Sequence, residues 1–230
     1  MKFSVFLPVK AISQRVTRKN FTPIGRFSKG LLEIKLRQLL QSSFADEIVV
    51  SSDSLEVQSF VNSYRDSRLK FDLRPPGLCS ADTTIESLTV HAGNVVTHPW
   101  VAWTHVTSPF FTSNLYEKAA NELRKSRLEG FDSLFSSEVI QKYASFRGED
   151  LNYGDPGEKW PPTQTLEPVT LVDSAVFLAS RENYLDGKRL GDFPKAVSFG
   201  TLSSLDIDSD VDMLIAKSII TANEELLEIR

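Results

Sequence analysis

The sequence predicts an α/β protein: a three-layer sandwich whose mostly parallel sheet is covered by helices on both faces. Two observations carry this. Short apolar, β-branched runs alternate with segments in which apolar residues recur at helical spacing. The 230 residues suit one large α/β domain, so residues 1–230 are expected to form a single unit.

The elements follow in order. Phe3–Val9 is a buried strand by length and branching, and it ends around Pro8. Lys10–Lys29 is polar, basic and without period, which predicts a loop. Leu31–Gln41 repeats leucine at helical spacing, through Leu32, Leu36 and Leu39 or Leu40. Glu47–Ser51 is a second strand and Leu55–Tyr64 a helix, with Val57, Phe60, Val61 and Tyr64 on one side. Leu69–Leu73 is a third strand. Thr84–Val96 is a helix, for which Asp82 is the expected cap. Val101–His105 is another strand, and Ser113 is the expected cap of a helix to about Arg124. Strands at Ser133–Val139 and Ser174–Ala179 and a helix at Asp210–Asn223 complete the pattern. Ile140–Val169, rich in Gly, Pro and aromatic residues, interrupts it and predicts an excursion from the sheet.

Composition narrows the function classes. A net charge of −4 argues against non-specific nucleic-acid binding. No apolar run approaches the ~18 residues of a membrane span. The N-terminus MKFSVFLPVK is not a secretory signal, because its apolar run is short and a basic segment follows. The one cysteine, Cys79, excludes an internal disulfide and fits a reducing compartment. A cytoplasmic protein with no membrane or nucleic-acid partner is expected.

Ligands of parallel sheets bind at the carboxyl ends of the strands, so the segments just after each strand are the ones to inspect. After the first strand come Lys10, Arg15, Arg18 and Lys19, with Arg26 further on. Such a run is either a solvated loop or a cradle for phosphates, which attract cations and backbone N–H groups. It is not a P-loop, since the Gly-x-x-x-x-Gly-Lys spacing is absent. Near the C-terminus, Asp206 and Asp208 stand two residues apart, on one face if that stretch is extended. They suit magnesium with phosphate oxygens, or alternatively they are solvated or capping acids before the last helix, for which Ser209 and Asp210 are the capping residues.

Seven segments in order carry a family resemblance. They are LPVKAISQRVTRKN (Leu7 to Asn20), IVVSSDS (Ile48 to Ser54), LRPPGLCSADTT (Leu73 to Thr84), WTHVTSPFF (Trp103 to Phe111), DSLFSSEVIQ (Asp132 to Gln141), TQTLEPVTLVDSAVFL (Thr163 to Leu178) and SLDIDSDVD (Ser204 to Asp212). Together they resemble the acylneuraminate cytidylyltransferases, which include the CMP-sialic acid, CMP-legionaminic acid and CMP-KDO synthetases. The resemblance implies a Rossmann-like fold with a protruding dimerisation arm at about 140–169, and hence a homodimer. It implies transfer of CMP from CTP to the anomeric hydroxyl of an acidic 2-keto-3-deoxy sugar, with release of pyrophosphate.

The same resemblance assigns residues. Lys10, Arg15 and Lys19 would neutralise the triphosphate, and Pro8, Val9, Lys10, Asn20, Arg74 and Thr84 would contact the nucleotide. His105, Thr107, Ser108, Gln164 and Asp173 would face the sugar. Asp206 and Asp208 would hold Mg2+. Some positions depart from the family pattern: Lys10 replaces an Arg, Gln14 a Lys and Phe111 an Arg, and Thr163 stands where an Arg holds the sugar carboxylate in sialic acid enzymes. Two rival readings are a nucleotide-sugar-dependent transferase of similar fold and an inactive nucleotide-binding homologue.

Overall fold

The computed structural model describes residues 1–10, 19–80, 82–153 and 160–229. Its first strand, β1 (Phe3–Pro8), is buried on both faces. Phe3, Val5 and Leu7 point into one apolar layer and Phe6 into the other, as the two-residue period of a strand requires. Parallel partners flank it: β2 (Glu47–Ser52) on one side and β4 (Trp100–Thr104) on the other. β3 (Leu69–Leu73) continues the parallel order beyond β2.

Helices α1 (Gly30–Gln41), α2 (Leu55–Asn62) and α3 (Ile85–Val95) form the crossovers, and α4 (Ser113–Ser126) follows β4. The chain then changes direction. β5 (Ser133–Ile140) leads out of the sheet into the excursion, where β6 (Ser145–Phe146) and β7 (Glu149–Asp150) make a small hairpin. Arg147 and Gly148 form its two-residue loop, both at positive φ (55° and 86°), the geometry that suits a tight hairpin. β8 (Val169–Ser180) returns antiparallel between β4 and β5. After α5 (Arg181–Leu185), β9 (Pro194–Ser198) adds to the far edge parallel to β5, and α6 (Asp210–Ala222) closes the domain. Seven of the nine described strands form a mixed sheet of order β3-β2-β1-β4-β8-β5-β9, and β6 and β7 pair apart from it.

One apolar layer packs α1, α4 and α6 on the sheet through residues such as Leu32, Leu36, Tyr116, Ala120, Met213 and Ile220. The opposite layer joins α3 and α5 to it through Leu88, Ala92, Trp103, Phe177 and Tyr184. This is the three-layer α/β arrangement that the alternating pattern predicts.

Several boundaries differ from the sequence reading. β8 begins at Val169 rather than Ser174, because its first half pairs with the outer part of β5 as a half-exposed ribbon without an apolar pattern. β9 and α5 escape the periodicity argument altogether. The first is a short, half-exposed edge strand that starts at proline, the second a five-residue helix capped by Ser180. Thr84, not Asp82, caps α3, since its hydroxyl accepts the Ser87 N–H at 3.1 Å. Thr112, not Ser113, occupies the cap position of α4, and its side chain makes no capping hydrogen bond; the buried Thr112 and Ser113 hydroxyls have no partner among the described residues.

Candidate active site

The carboxyl ends of β1, β2, β3 and β4 open on one edge of the sheet, and the segments that follow them build the site. The basic loop leaves β1 at Pro8. Val9 is buried and donates its N–H to Ser51 O at 2.9 Å, while Lys10 is exposed. Residues 11–18 lie outside the described residues, so Gln14, Arg15 and Arg18 have no structural account. The loop returns through a 3-10 turn at Lys19–Phe21. Asn20 ties its two ends together: its Nδ2 donates to the Lys10 carbonyl at 3.0 Å, and its buried Oδ1 has no hydrogen-bond partner among the described residues. The loop ends at Gly30, whose φ is +52°. A Cβ there would stand 2.2 Å from Thr22 O, so glycine alone lets α1 start so close under the loop.

Lys19 links this loop to the C-terminal aspartates. It is 7% exposed; its Nζ donates to Ile207 O at 2.6 Å and lies 3.6 Å from Asp208 Oδ1. The stretch 205–208 belongs to no helix or strand, and its Ile207 is fully buried in the core between the two aspartates. The β4 loop meets them from the other side, with Ile207 N donating to Thr107 O at 2.9 Å. Burial raises the Asp206 pKa above the usual carboxylate value; a hydrogen bond from Thr107 opposes this and the Asp208 charge adds to it. Asp206 Oδ1 is buried with no hydrogen-bond partner among the described residues. A half-buried carboxylate with an unsatisfied oxygen, beside a second carboxylate, has the donor set of a hard divalent cation. Behind them, Ser209 and Asp212 form a reciprocal cap at the start of α6, which holds the aspartate stretch in place.

The β4 loop rests on α1. The fully buried Lys35 donates to Ser108 O and Phe111 O, each at 2.8 Å, and Gln38 donates to Pro109 O at 2.7 Å. Burial lowers the Lys35 pKa well below that of an ordinary lysine. Ser108 is itself buried, and its hydroxyl has no partner among the described residues. On the other side of the loop, His105 is held at both ring nitrogens. Trp103 Nε1 donates to its Nε2 at 2.8 Å, which leaves Nδ1–H to donate to Ser174 O at 2.9 Å. Burial is the main cause that pulls its pKa down to about 4, so the ring is neutral at pH 7. Its expected hydrogen bond to a sugar would have to displace one of these two.

Ser174 sits at a bulge between β5 and β8, with a φ of +64°. Asp173 supports the bulge. Its Oδ1 accepts from Ala175 N at 3.0 Å and from the Ser136 hydroxyl, while its buried Oδ2 has no partner among the described residues.

Arg74, expected at the nucleotide, is 2% exposed. Its Nε donates to Ser51 Oγ at 3.1 Å, and Ser51 Oγ in turn donates to Asp72 Oδ2, as does His91 Nε2, each at 2.7 Å. That chain orients Arg74 at the ends of β2 and β3. Thr84 is exposed and occupied as the α3 cap. Gln164 lies between β5 and β8, in a 3-10 turn at Thr163–Thr165, and its carbonyl accepts from Gln141. No hydrogen bond or ion pair among the described residues ties its side chain to the cluster.

The structure therefore brings together Lys19, His105, Thr107, Ser108, Asp206 and Asp208. It sets Arg74 and Thr84 on the β2–β3 side, and Gln164 apart. The sequence reading missed Lys35, Gln38, Asp72 and His91, because a polar residue at a helical position or inside a strand reads as solvent-facing until its neighbours are known.

In open α/β sheets ligands bind outside the carboxyl ends of the strands, and that is where Lys19, from the loop after β1, meets Asp208. The chain belongs to the cytidylyltransferase family, whose sequence profile matches residues 5–146, more than half of the chain. It is similar to the N-acylneuraminate cytidylyltransferase of Escherichia coli O18:K1:H7 (strain RS218), with 26% identity over 95% of this chain and 52% of that protein. The chain thus spans about half the length of this curated relative. Among solved structures, its fold is similar to 4-diphosphocytidyl-2C-methyl-D-erythritol synthase from Anaerococcus prevotii (TM-score 0.65, 15% identity, 96% of both chains). It is similar to the same degree to CMP:2-keto-3-deoxy-manno-octonic acid synthetase complexed with CTP (TM-score 0.65, 11% identity, 96% of this chain and 99% of the other). At these identities the two structures speak for the fold alone.

Proposed function

We propose that this chain transfers CMP from CTP to the anomeric hydroxyl of an acidic 2-keto-3-deoxy sugar. The hydroxyl oxygen forms a bond to the α-phosphorus, the bond from that phosphorus to the β-phosphate bridging oxygen breaks, pyrophosphate leaves, and the hydroxyl proton passes to solvent. Such a transfer depends on positioning and charge neutralisation more than on covalent help. Lys10, Arg15 and Lys19 supply cations to the triphosphate from the loop after β1. Pro8 and Val9 set that loop's departure, and Asn20 fixes its base. Arg74, with Thr84 nearby in sequence, belongs to the nucleotide side. Thr107, Ser108, Asp173, His105 and Gln164 belong to the acceptor side.

Asp206 and Asp208 are the residues that would hold Mg2+, and the buried, unsatisfied Asp206 Oδ1 is the observation that carries the reading. When bound, the ion supplies positive charge at the phosphates and polarises the α-phosphate. Family membership supports CTP as the nucleotide, and the similarity to the E. coli enzyme supports an acidic sugar as acceptor. The free thiol of Cys79 accords with a reducing, cytoplasmic setting. Among the described residues, no helix is long and apolar enough to cross a membrane. The arm between β5 and β8, with Phe146 at 61% and Trp160 at 59% exposure, is the surface through which two copies would pair.

The decisive assay mixes the protein with each of the four nucleoside triphosphates, Mg2+ and a panel of acceptors, and measures pyrophosphate release. The panel includes N-acetylneuraminate, 2-keto-3-deoxy-manno-octonic acid and 2C-methyl-D-erythritol 4-phosphate. Release is expected with CTP and an acidic keto-sugar only. Release with the phosphorylated alcohol alone would overturn the acceptor class and leave the nucleotidyl transfer standing. Asp206→Asn and Asp208→Asn are each expected to reduce the rate at least about a hundredfold.

A further inference from the structure

An acidic acceptor brings a carboxylate into the crevice, and the cations at β1 lie on the phosphate side. On the opposite side, around β8 and the segment after α5, the positive charges are mostly committed. Lys188 pairs with Asp192 at 3.0 Å, and Lys195 with Glu129 and Glu122 at 2.9 and 3.1 Å. Lys35 is sealed beneath the β4 loop by two carbonyls. Arg189 differs from all of these. It is half-buried, and its guanidinium carbon lies 4.3 Å from the centroid of the Phe177 ring and 5.4 Å from that of Trp103. Among the described residues, no carboxylate lies within ion-pair distance of it.

The two rings place this cation beside the acceptor side of the crevice. Phe177 on β8 is the register partner of Trp103 on β4. Trp103 donates to His105, its ring centroid 6.2 Å from that of the imidazole, and His105 reaches the bulge at Ser174. Arg189 is thus one aromatic ring away from His105, at the strand end where the β4 loop begins. The imidazole is uncharged at neutral pH, so it adds no competing positive charge. Hydrogen bonds on both sides hold the backbone of the Arg189 segment. Lys188 N donates to Asn183 O at 2.8 Å, and Asp132 accepts the N–H groups of Asp192 and Phe193 at 2.8 and 3.2 Å.

A guanidinium stripped of part of its hydration, lying over two rings and without a carboxylate among the described residues, keeps N–H donors of its fork for a ligand. We propose that Arg189 binds the carboxylate of the acceptor sugar and so sets the preference for acidic over neutral acceptors. This assignment rests on the cytidylyltransferase reading above. It places the anchor on the segment between α5 and β9 rather than on the return from the arm, where Thr163 stands.

The test uses the full chain, CTP, Mg2+, the acidic keto-sugar that the wild type turns over best, and the methyl ester of that sugar. The expectation for Arg189→Gln is a rise of about tenfold to hundredfold in KM for the acid. KM for CTP, and CTP binding measured by calorimetry without acceptor, should stay unchanged, and the thermal midpoint should stay close to that of the wild type. The wild type should prefer the acid to its ester, and Arg189→Gln should lose that preference. Arg189→Lys, which keeps the charge but not the fork, should fall between the two and serves as the readout if Arg189→Gln does not fold. An unchanged acid-to-ester ratio in folded Arg189→Gln, or in Arg189→Lys where that is the variant that folds, would overturn the proposal. Failure of the wild type to release pyrophosphate with CTP and any acidic sugar would instead sink the underlying reaction, a distinct outcome seen before any variant is made.

Discussion

At the residue scale, the two histidines nearest the strand ends show how context sets chemistry. His91 donates to Asp72 within the network that orients Arg74, whereas His105 is a neutral link between Trp103 and the bulge at Ser174. The His105 pKa of about 4 lies below the ordinary 6.5, with burial as its main cause. Between these values the unfolded chain takes up the proton and the folded chain does not. Stability therefore falls as pH drops from about 6.5 towards 4, by a few kcal/mol at most, about 1.4 for each pKa unit. Urea denaturation at steps through this window should show the decline, and His105→Asn should remove that component of it. An identical slope in wild type and variant would refute the assignment. The sequence alone presented His105 as a candidate sugar ligand; it could not show that both nitrogens are engaged, because Ser174 is far away along the chain.

At the element scale, α1 and α6 determine whether the site's loops keep their shape. The leucine repeat makes α1 legible as a helix, but the same repeat would send Lys35 to solvent or to the helix rim. In the structure its ammonium lies fully buried beneath the β4 loop and satisfies two carbonyls. Lys35→Met keeps the length and removes both hydrogen bonds. It should destabilise by about 1–3 kcal/mol, the cost of leaving buried acceptors unsatisfied, and should lower turnover through displacement of Thr107 and Ser108. Thermal unfolding and pyrophosphate release, measured on the same preparations, check both effects. For α6, the Ser209–Asp212 capping box anchors the stretch that carries Asp206 and Asp208. Ser209→Ala should cost about 1 kcal/mol and weaken the response to Mg2+, seen as a higher metal concentration for half-maximal rate. An unchanged metal response would show that the aspartates do not depend on this cap.

At the scale of the whole molecule, the segment between β5 and β8 carries an aromatic cluster of its own. Tyr143, Tyr153 and Trp160 gather there with ring centroids 5.1–5.2 Å apart, and Phe146, Leu151 and Val172 are exposed. Pairing of two copies through this arm would cover these side chains. Light scattering at ~10–50 µM protein should then give twice the chain mass, and Phe146→Glu with Trp160→Glu should return the monomer mass, since a charge at an interface core costs several kcal/mol. Because both residues are exposed in the single chain, the double variant should stay folded, with stability changed by no more than about 1 kcal/mol. A monomeric wild type would exclude the arm as a pairing surface.

The sequence by itself determined the alternation of strands and helices, the parallel core around β1 and β2, the interruption after β5, and the two segments that carry cations and carboxylates. Those features are local: period, branching, length and charge are written in neighbouring residues. Only the tertiary structure decided the rest. It brought Lys19 against Asp208, set Thr107 beside Asp206, closed His105 between Trp103 and Ser174, buried Lys35 under a loop, and laid Arg189 across Phe177 and Trp103. Each of these pairings joins a polar group to a partner that no local pattern identifies, and burial then sets its charge and its hydrogen bonds.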